Sequence, residues 1–506
     1  MQLDTLVNFF SNMNVDAFIE KYFAPFSNKF SSLIFTPINI FGNEIPFLLL
    51  IMILASIFCT FYFRWIGIWG FKHSLKQIFH KNEDDGNKGE VSPIGALATA
   101  LSGTVGLGNI AGVAIAISIG GPGAMFWMCL GAIFGMALKF CEVTLSLKYR
   151  IFNEDGSVSG GPMYYMQKGL EEKGLKWLGI ILAYVFAIAF LPGTVGGGCM
   201  LQTNQATQQF INITGGENSF FYSHSWVFGL IVTLIVGLVI VGGIKSIAKV
   251  TSKVVPAMCL LYIGACLIII VANITQIPHA IYTIITQAFV PESIYGGIAG
   301  TIIIGLRRSI QSNEAGIGSS PIAYAAVKTN EPVSQGFVSI IEPFLDTVIV
   351  CSMTAFVIIL TGEYLNYTDG ITGVQLTSGA FASVMPFFPY VLAIVIILFA
   401  LSTILSWAYY GEKAFTFIFG AGKKRIRLYQ VLFCSFIIIG SAMDIKSVID
   451  FTDATYLVMG CANLITVLIM IKDIKADLID YCKRHNLVFK MNKVWFKNEQ
   501  WFTKDT

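Results

Sequence analysis

Long apolar stretches recur along the chain, separated by short polar segments. They fall near residues 46–70, 94–117, 122–147, 176–210, 225–243, 247–273, 294–312, 335–361, 387–418, 427–445 and 452–472. A helix needs roughly 20 such residues to cross about 30 Å of hydrocarbon. The pattern therefore predicts an all-α polytopic membrane protein of about eleven transmembrane helices. Residues 1–44 carry scattered acids and lack a basic start followed by an apolar core, so no cleavable signal peptide is expected.

The polar segments set an orientation. Arg64, Lys72, Lys76, Lys81 and Lys88 follow the first span, and Lys148, Arg150, Lys168, Lys173 and Lys176 the third. Lys245, Lys249 and Lys253 follow the fifth. Arg307, Arg308 and Lys328 follow the seventh, and Lys413, Lys423, Lys424, Arg425 and Arg427 the ninth. Segments 211–224, 275–293 and 362–386 contain no Lys or Arg, and 441–451 has only Lys446. Basic residues collect on the cytoplasmic side, which places the amino terminus outside and the carboxyl terminus inside. The expected organisation is an extracytoplasmic segment 1–45, a first helix 46–70, a core 94–472 and a cytoplasmic basic tail 473–506.

Composition agrees. Of 506 residues, 55% are hydrophobic and 12% charged, against roughly 25% charged in soluble domains. Mean hydropathy is +0.70. The net charge of +3 gives no reason to expect nucleic acid, because the cations sit in short connecting segments. The ten cysteines form no CxxC pair, and Cys141, Cys259, Cys351 and Cys434 lie inside apolar runs, where thiols act as small core residues. All five histidines fall in loops or tails, which argues against an intramembrane zinc site or histidine relay.

The chemistry concentrates where an ordinary membrane helix would be weakest. Ser102-Gly103-Thr104-Val105-Gly106-Leu107-Gly108-Asn109 puts three glycines and an amide inside the second span. Irregular backbone at that depth is tolerated where protein buries it or it lines a cavity. Freed carbonyls there can coordinate a cation, and a half-helix amino end can hold a carboxylate; close helix packing is the alternative use of such glycines. In a fold of two inverted repeats, a matching interruption is expected five core helices later, at Gly296-Gly297-Ile298-Ala299-Gly300-Thr301 and Gly305, in a span cut short by Arg307 and Arg308. The repeats would then be 94–273 and 294–472, outside the added helix 46–70.

Further polar groups lie within spans. Pro192-Gly193-Thr194, Gln202, Thr203, Asn204 and Gln205 occupy the fourth, and Ser402, Thr403, Ser406 and Trp407 the ninth. Ser402 and Thr403 offer oxygens to a desolvated Na+, or bond back to their own helix. Buried carboxylates are costly and usually functional or paired: Glu142 reads as a structural partner of Lys139, whereas Asp346 with Thr347 is an ion-site candidate. No Ser/His/Asp set, HExxH or phosphate-cradling Gly-Lys motif appears in a suitable context, so a membrane enzyme is not expected. A channel is the main rival to a carrier.

Gly106-Leu107-Gly108-Asn109-Ile110-Ala111-Gly112-Val113-Ala114, followed by Gly120-Gly121-Pro122-Gly123-Ala124, resembles the alanine or glycine:cation symporter family. The likeness continues through Glu142-Val143-Thr144, Gly160-Gly161-Pro162-Met163-Tyr164-Tyr165 and Ser312-Asn313-Glu314-Ala315-Gly316-Ile317-Gly318-Ser319, to Asp346-Thr347 and Ser402-Thr403 through Lys413. The resemblance implies the leucine-transporter fold, with core helices one and six unwound, and inward symport of alanine or glycine with Na+, H+ being the alternative coupling ion. It implies no organic cofactor and no obligatory protein partner. It carries over substrate contacts at Thr104, Gly108 and Asn109 on core helix one, Gln202 on three, Thr301 and Gly305 on six, and Trp407 on eight. It implies Na+ ligands at Ser402 and Thr403, completed by carbonyls near Ser102 and Val105. Leu107 departs from the threonine of many relatives, and Glu342-Pro343 from an uncharged pair.

Overall fold

A computed structural model of the protein describes residues 15–40, 43–79, 88–154, 156–289, 297–365 and 373–487. Helix α1 (Val15–Ile34) and the hairpin β1 (Pro37–Ile40)–β2 (Asn43–Pro46) precede α2 (Phe47–Tyr62) and the amphipathic α3 (Phe71–Phe79). Next come α4 (Pro93–Thr104), α5 (Ala111–Gly120), α6 (Ala124–Lys148), α7 (Pro162–Glu172), α8 (Lys176–Ile213), α9 (Ser225–Ile240), α10 (Gly243–Ala272) and α11 (Ile277–Phe289). The second half holds α12 (Gly297–Asn313), α13 (Pro321–Ala325), α14 (Pro332–Leu360), α15 (Val374–Ala382), α16 (Phe388–Phe419), α17 (Lys423–Ala442), α18 (Ile445–Ile469) and α19 (Ile471–Arg484).

Seven of these helices are long and apolar enough to cross a membrane, and the bent pair α4–α5 makes an eighth span; α2 and α9 are apolar but shorter. The first expected span, 46–70, stops at Tyr62, where Arg64 and Trp65 take left-handed backbone conformations and turn the chain. The apolar faces left uncovered, such as Leu234 and Leu238 on α9 and Leu260 and Val271 on α10, suit a hydrocarbon surround. Polar residues face inward instead.

Two expectations fail. The segment Thr301 to Gly305 does not interrupt a helix, because α12 runs unbroken from Gly297 to Asn313; Gly296 lies outside the described residues. A Cβ at Gly305 would stand 2.6 Å from the Ala124 carbonyl oxygen and 2.7 Å from Trp127. That glycine lets α12 approach α6, the packing use of small residues. Nor do Arg307 and Arg308 begin a loop. They lie within α12, with Arg308 buried, and both meet Asp453 of α18, Arg307 at 2.7 Å; Asp450 adds a second acid 3.6 Å from Arg307. Opposite charges on a distant helix let two arginines stay inside the bundle.

Candidate functional site

The first broken helix is built from local signals. Ser92 caps α4, its Oγ accepting from the Gly95 N–H at 3.1 Å, and Pro93 takes the first helical turn. The helix ends at Thr104, and after a break its course resumes at 53° through Leu107–Asn109 into α5. Here Asn109 replaces the lost helical bonds: its Oδ1 accepts from the Gly106 N–H at 2.8 Å. The Leu107 N–H donates to Gln202 Oε1 at 2.9 Å, and Gln202 is held from behind by the Gly197 carbonyl at 3.0 Å. Gly197 belongs to a π turn, Gly196–Met200, that bulges α8 toward the break.

Helix α16 closes the other side. The Thr403 Oγ1 is buried, has no hydrogen-bond partner among the described residues, and would stand 2.5 Å from a Cβ placed on Gly106. Ser406 donates to the Thr99 carbonyl at 2.9 Å and pairs with Ser102 Oγ. Trp407 Nε1 donates to the Gly103 carbonyl at 3.3 Å, its ring stacked between Phe190 and Tyr456. The structure thus gathers Ser102, Val105, Gln202, Thr403 and Trp407 around one break. Ser402 is neighbouring but turned aside, donating to the Phe399 carbonyl at 2.9 Å. Thr104 bonds back to Ala100 at 3.3 Å.

Gly108, which the resemblance carries over as a substrate contact, makes only ordinary contacts with the described residues. The crowding lies elsewhere: a Cβ at Gly108 meets nothing closer than Ser312 Cα at 3.7 Å, whereas Gly106 faces both Thr403 Oγ1 and Gln202 Oε1. Gly106 has an extended backbone, so space rather than conformation demands glycine there.

The second break follows α12, at Glu314–Ser320, where Glu314, Gly316 and Gly318 adopt positive φ and Pro321 starts α13. Its signal stood in the sequence, as glycines at 316 and 318 ahead of a proline. Thr301 and Gly305 sit well before it; Thr301 Oγ1 donates to the Gly120 carbonyl at 3.0 Å. The two broken helices meet at Asp346, in a π stretch of α14, Phe344–Cys351. Asp346 Oδ1 accepts from Asn109 Nδ2 at 2.6 Å, and Oδ2 from Ser312 at 2.6 Å and Thr347 at 2.7 Å. Ser312, absent from the expected set, is what ties α12 to this carboxylate.

Glu142 is not the ion-pair partner of Lys139. The buried Lys139 ammonium lies 2.9 Å from Glu342 Oε1 and donates to Ser320 Oγ at 2.7 Å, because α14 and the second break reach over α6. Glu142 turns toward Asn463 instead.

A helical membrane bundle with two helices unwound where they meet, lined by buried oxygens, is the construction of a secondary transporter. The profile of the sodium:alanine symporter family matches residues 28–494, and the chain belongs to that family. It is 39% identical over 429 residues to "Sodium/alanine symporter AgcS" of Methanococcus maripaludis, covering 84% of this chain and 92% of that one. It is 34% identical over 440 residues to "Probable sodium/glutamine symporter GlnT" of Bacillus subtilis, covering 86% and 88%. The crystal structure of MhsT in complex with L-phenylalanine matches with a TM-score of 0.57 over 78% of this chain and 93% of that one, at 17% identity. The fold is that of the leucine transporter, and the protein is a Na+-coupled amino-acid symporter.

Proposed function

We propose that the protein carries a small neutral amino acid, alanine or glycine, into the cell with Na+, by alternating access across the cell membrane. The observation that carries this reading is the unpartnered Thr403 hydroxyl, buried beside the broken backbone at Gly106. A buried polar atom without a partner is costly, and a desolvated cation held by this oxygen and by carbonyls near Ser102 and Val105 would supply one. Ser402 reaches the same ion after a rotamer change. Asp346 with Thr347 is the second ion-related group, bracing both breaks.

The amino acid binds at the first break, its carboxylate on freed N–H groups near Gly108 and its ammonium on oxygens of Thr104, Asn109 and Gln202. Trp407, fixed in its stack, limits the side chain. The relative named for glutamine makes that size limit the property to measure. Eleven spans, counted by adding α2, α9 and α12 to the eight, form two inverted repeats, α4–α10 and α12–α18, with the amino terminus outside.

The test is Ser402→Ala combined with Thr403→Val. Loss of hydroxyl ligands at about 1–3 kcal/mol each should raise the Na+ concentration for half-maximal alanine uptake tenfold or more, at equal protein abundance. An unchanged Na+ dependence would move the ion to Asp346.

A further inference from the structure

Two carboxyl groups buried inside the bundle have opposite surroundings. Asp346 accepts hydrogen bonds from Asn109, Ser312 and Thr347, all at 2.6–2.7 Å, the dense donation that stabilises an anion. Glu142, on α6 and fully buried, accepts at Oε1 from Asn463 Nδ2, while its Oε2 has no hydrogen-bond partner among the described residues. The nearest cation, Lys139, is committed to Glu342 and Ser320. Glu342 and Glu314 add two more buried carboxyls facing the same ammonium. One ammonium cannot neutralise three carboxylates, and uncompensated charge at this depth is costly.

Among the described residues Glu342 Oε2 also lacks a hydrogen-bond partner, but its Oε1 holds the Lys139 ammonium at 2.9 Å, whereas Glu142 has an open oxygen and no ion pair. Tyr165 donates to Asn463 Oδ1, which leaves the Asn463 amide to donate both to Glu142 Oε1 and to the Gly316 carbonyl at 2.9 Å. A neutral Glu142 fits this arrangement, with Oε1 as carbonyl acceptor and the proton on the open Oε2. Through Asn463 the same carboxyl is joined to Gly316, inside the positive-φ segment that interrupts the second broken helix. Movement of that segment breaks the bond and changes the surroundings of Glu142.

We propose that Glu142 is a proton-binding site, distinct from the Na+ site and coupled to movement of the segment Glu314–Ser320. As the segment closes, a hydronium ion gives its proton to Oε2, forming the O–H bond of a neutral acid and leaving a water molecule. When it opens toward solvent, the O–H bond breaks and the proton returns to water. The ionisable groups facing Glu142 are Lys139 and Cys141 on its own helix, Glu342 on α14 and Tyr165 on α7, while Glu314 at the break shares the Lys139 ammonium with it. Cys59 of α2 lies beside Cys141.

The experiment uses the purified full-length protein in lipid and needs no knowledge of its substrate. Infrared spectra at neutral pH should contain the carbonyl stretch of a neutral carboxylic acid that disappears in Glu142→Gln. Glu142→Asp, which keeps the ionisable group on a shorter arm, should shift that band rather than remove it. In proteoliposomes, Na+-driven alanine uptake should fall about tenfold per pH unit once Glu142 remains ionised; whatever uptake Glu142→Gln retains should lose this pH dependence. A wild-type spectrum without the band, or a band unchanged in Glu142→Gln, would overturn the proposal. Because the spectral test requires no transport, it stands or falls separately from the assignment of alanine.

Discussion

At Gly106 the broken backbone, the Gln202 carbonyl oxygen and the Thr403 hydroxyl converge within a space that a methyl group would fill. Gly106→Ala should therefore abolish transport or cut it at least tenfold, because flexing the break by a few tenths of an ångström displaces its oxygens. Gly108→Ala, whose added methyl meets only ordinary contacts in the same structure, should lose less. Uptake measurements on both variants at matched abundance check this ranking; a more severe Gly108 effect would mean that bound amino acid occupies that space. Such distinctions were not legible in the sequence. Three glycines between Gly103 and Gly108 announced a break, but which of them is crowded depends on Gln202 and Thr403, about a hundred and three hundred residues away. Thr403 was legible as a polar group in a membrane helix; its lack of a partner was not.

Among the elements, the apolar runs marked the helices well, because burial in lipid demands uninterrupted hydrophobicity over a span. Helix α12 misled for a physical reason. Arg307 and Arg308 look like a loop until Asp450 and Asp453 of α18 supply their counter-charge, and no local pattern reveals that pairing. The amphipathic α3 shows in the sequence only as a basic segment, yet it docks on α14 and α19 through His73. The imidazole Nε2 lies 3.0 Å from the Tyr481 hydroxyl and 3.2 Å from Gln77 Nε2, with the ring edge-on to Phe337. Two donors on Nε2 suit a neutral ring protonated at Nδ1. Burial, reinforced by His485 and Lys76, lowers its pKa from 6.5 to about 4. The unfolded chain then binds the extra proton first, so stability falls as pH drops from about 6.5 towards about 4. Thermal unfolding should show a greater loss between pH 7 and pH 5 in the wild type than in His73→Gln. Equal losses would show that His73 does not titrate in this window.

For the whole molecule, membership of a Na+-coupled family and the leucine-transporter fold leave the orientation to be measured. Single cysteines in a cysteine-free background, treated with an impermeant thiol reagent from outside intact cells, should label in 362–386 and not in 419–426. The opposite pattern would invert the topology read from the Lys and Arg distribution. The central claim is coupling, since an array of broken helices could also line a channel. Labelled alanine and glycine should be offered to proteoliposomes under Na+ and H+ gradients imposed separately, with glutamine as competitor. An inward Na+ gradient should drive accumulation of alanine or glycine above its external concentration, glutamine competing weakly, and accumulation should collapse without Na+. Flux that follows the amino-acid gradient alone, indifferent to Na+, would contradict the account.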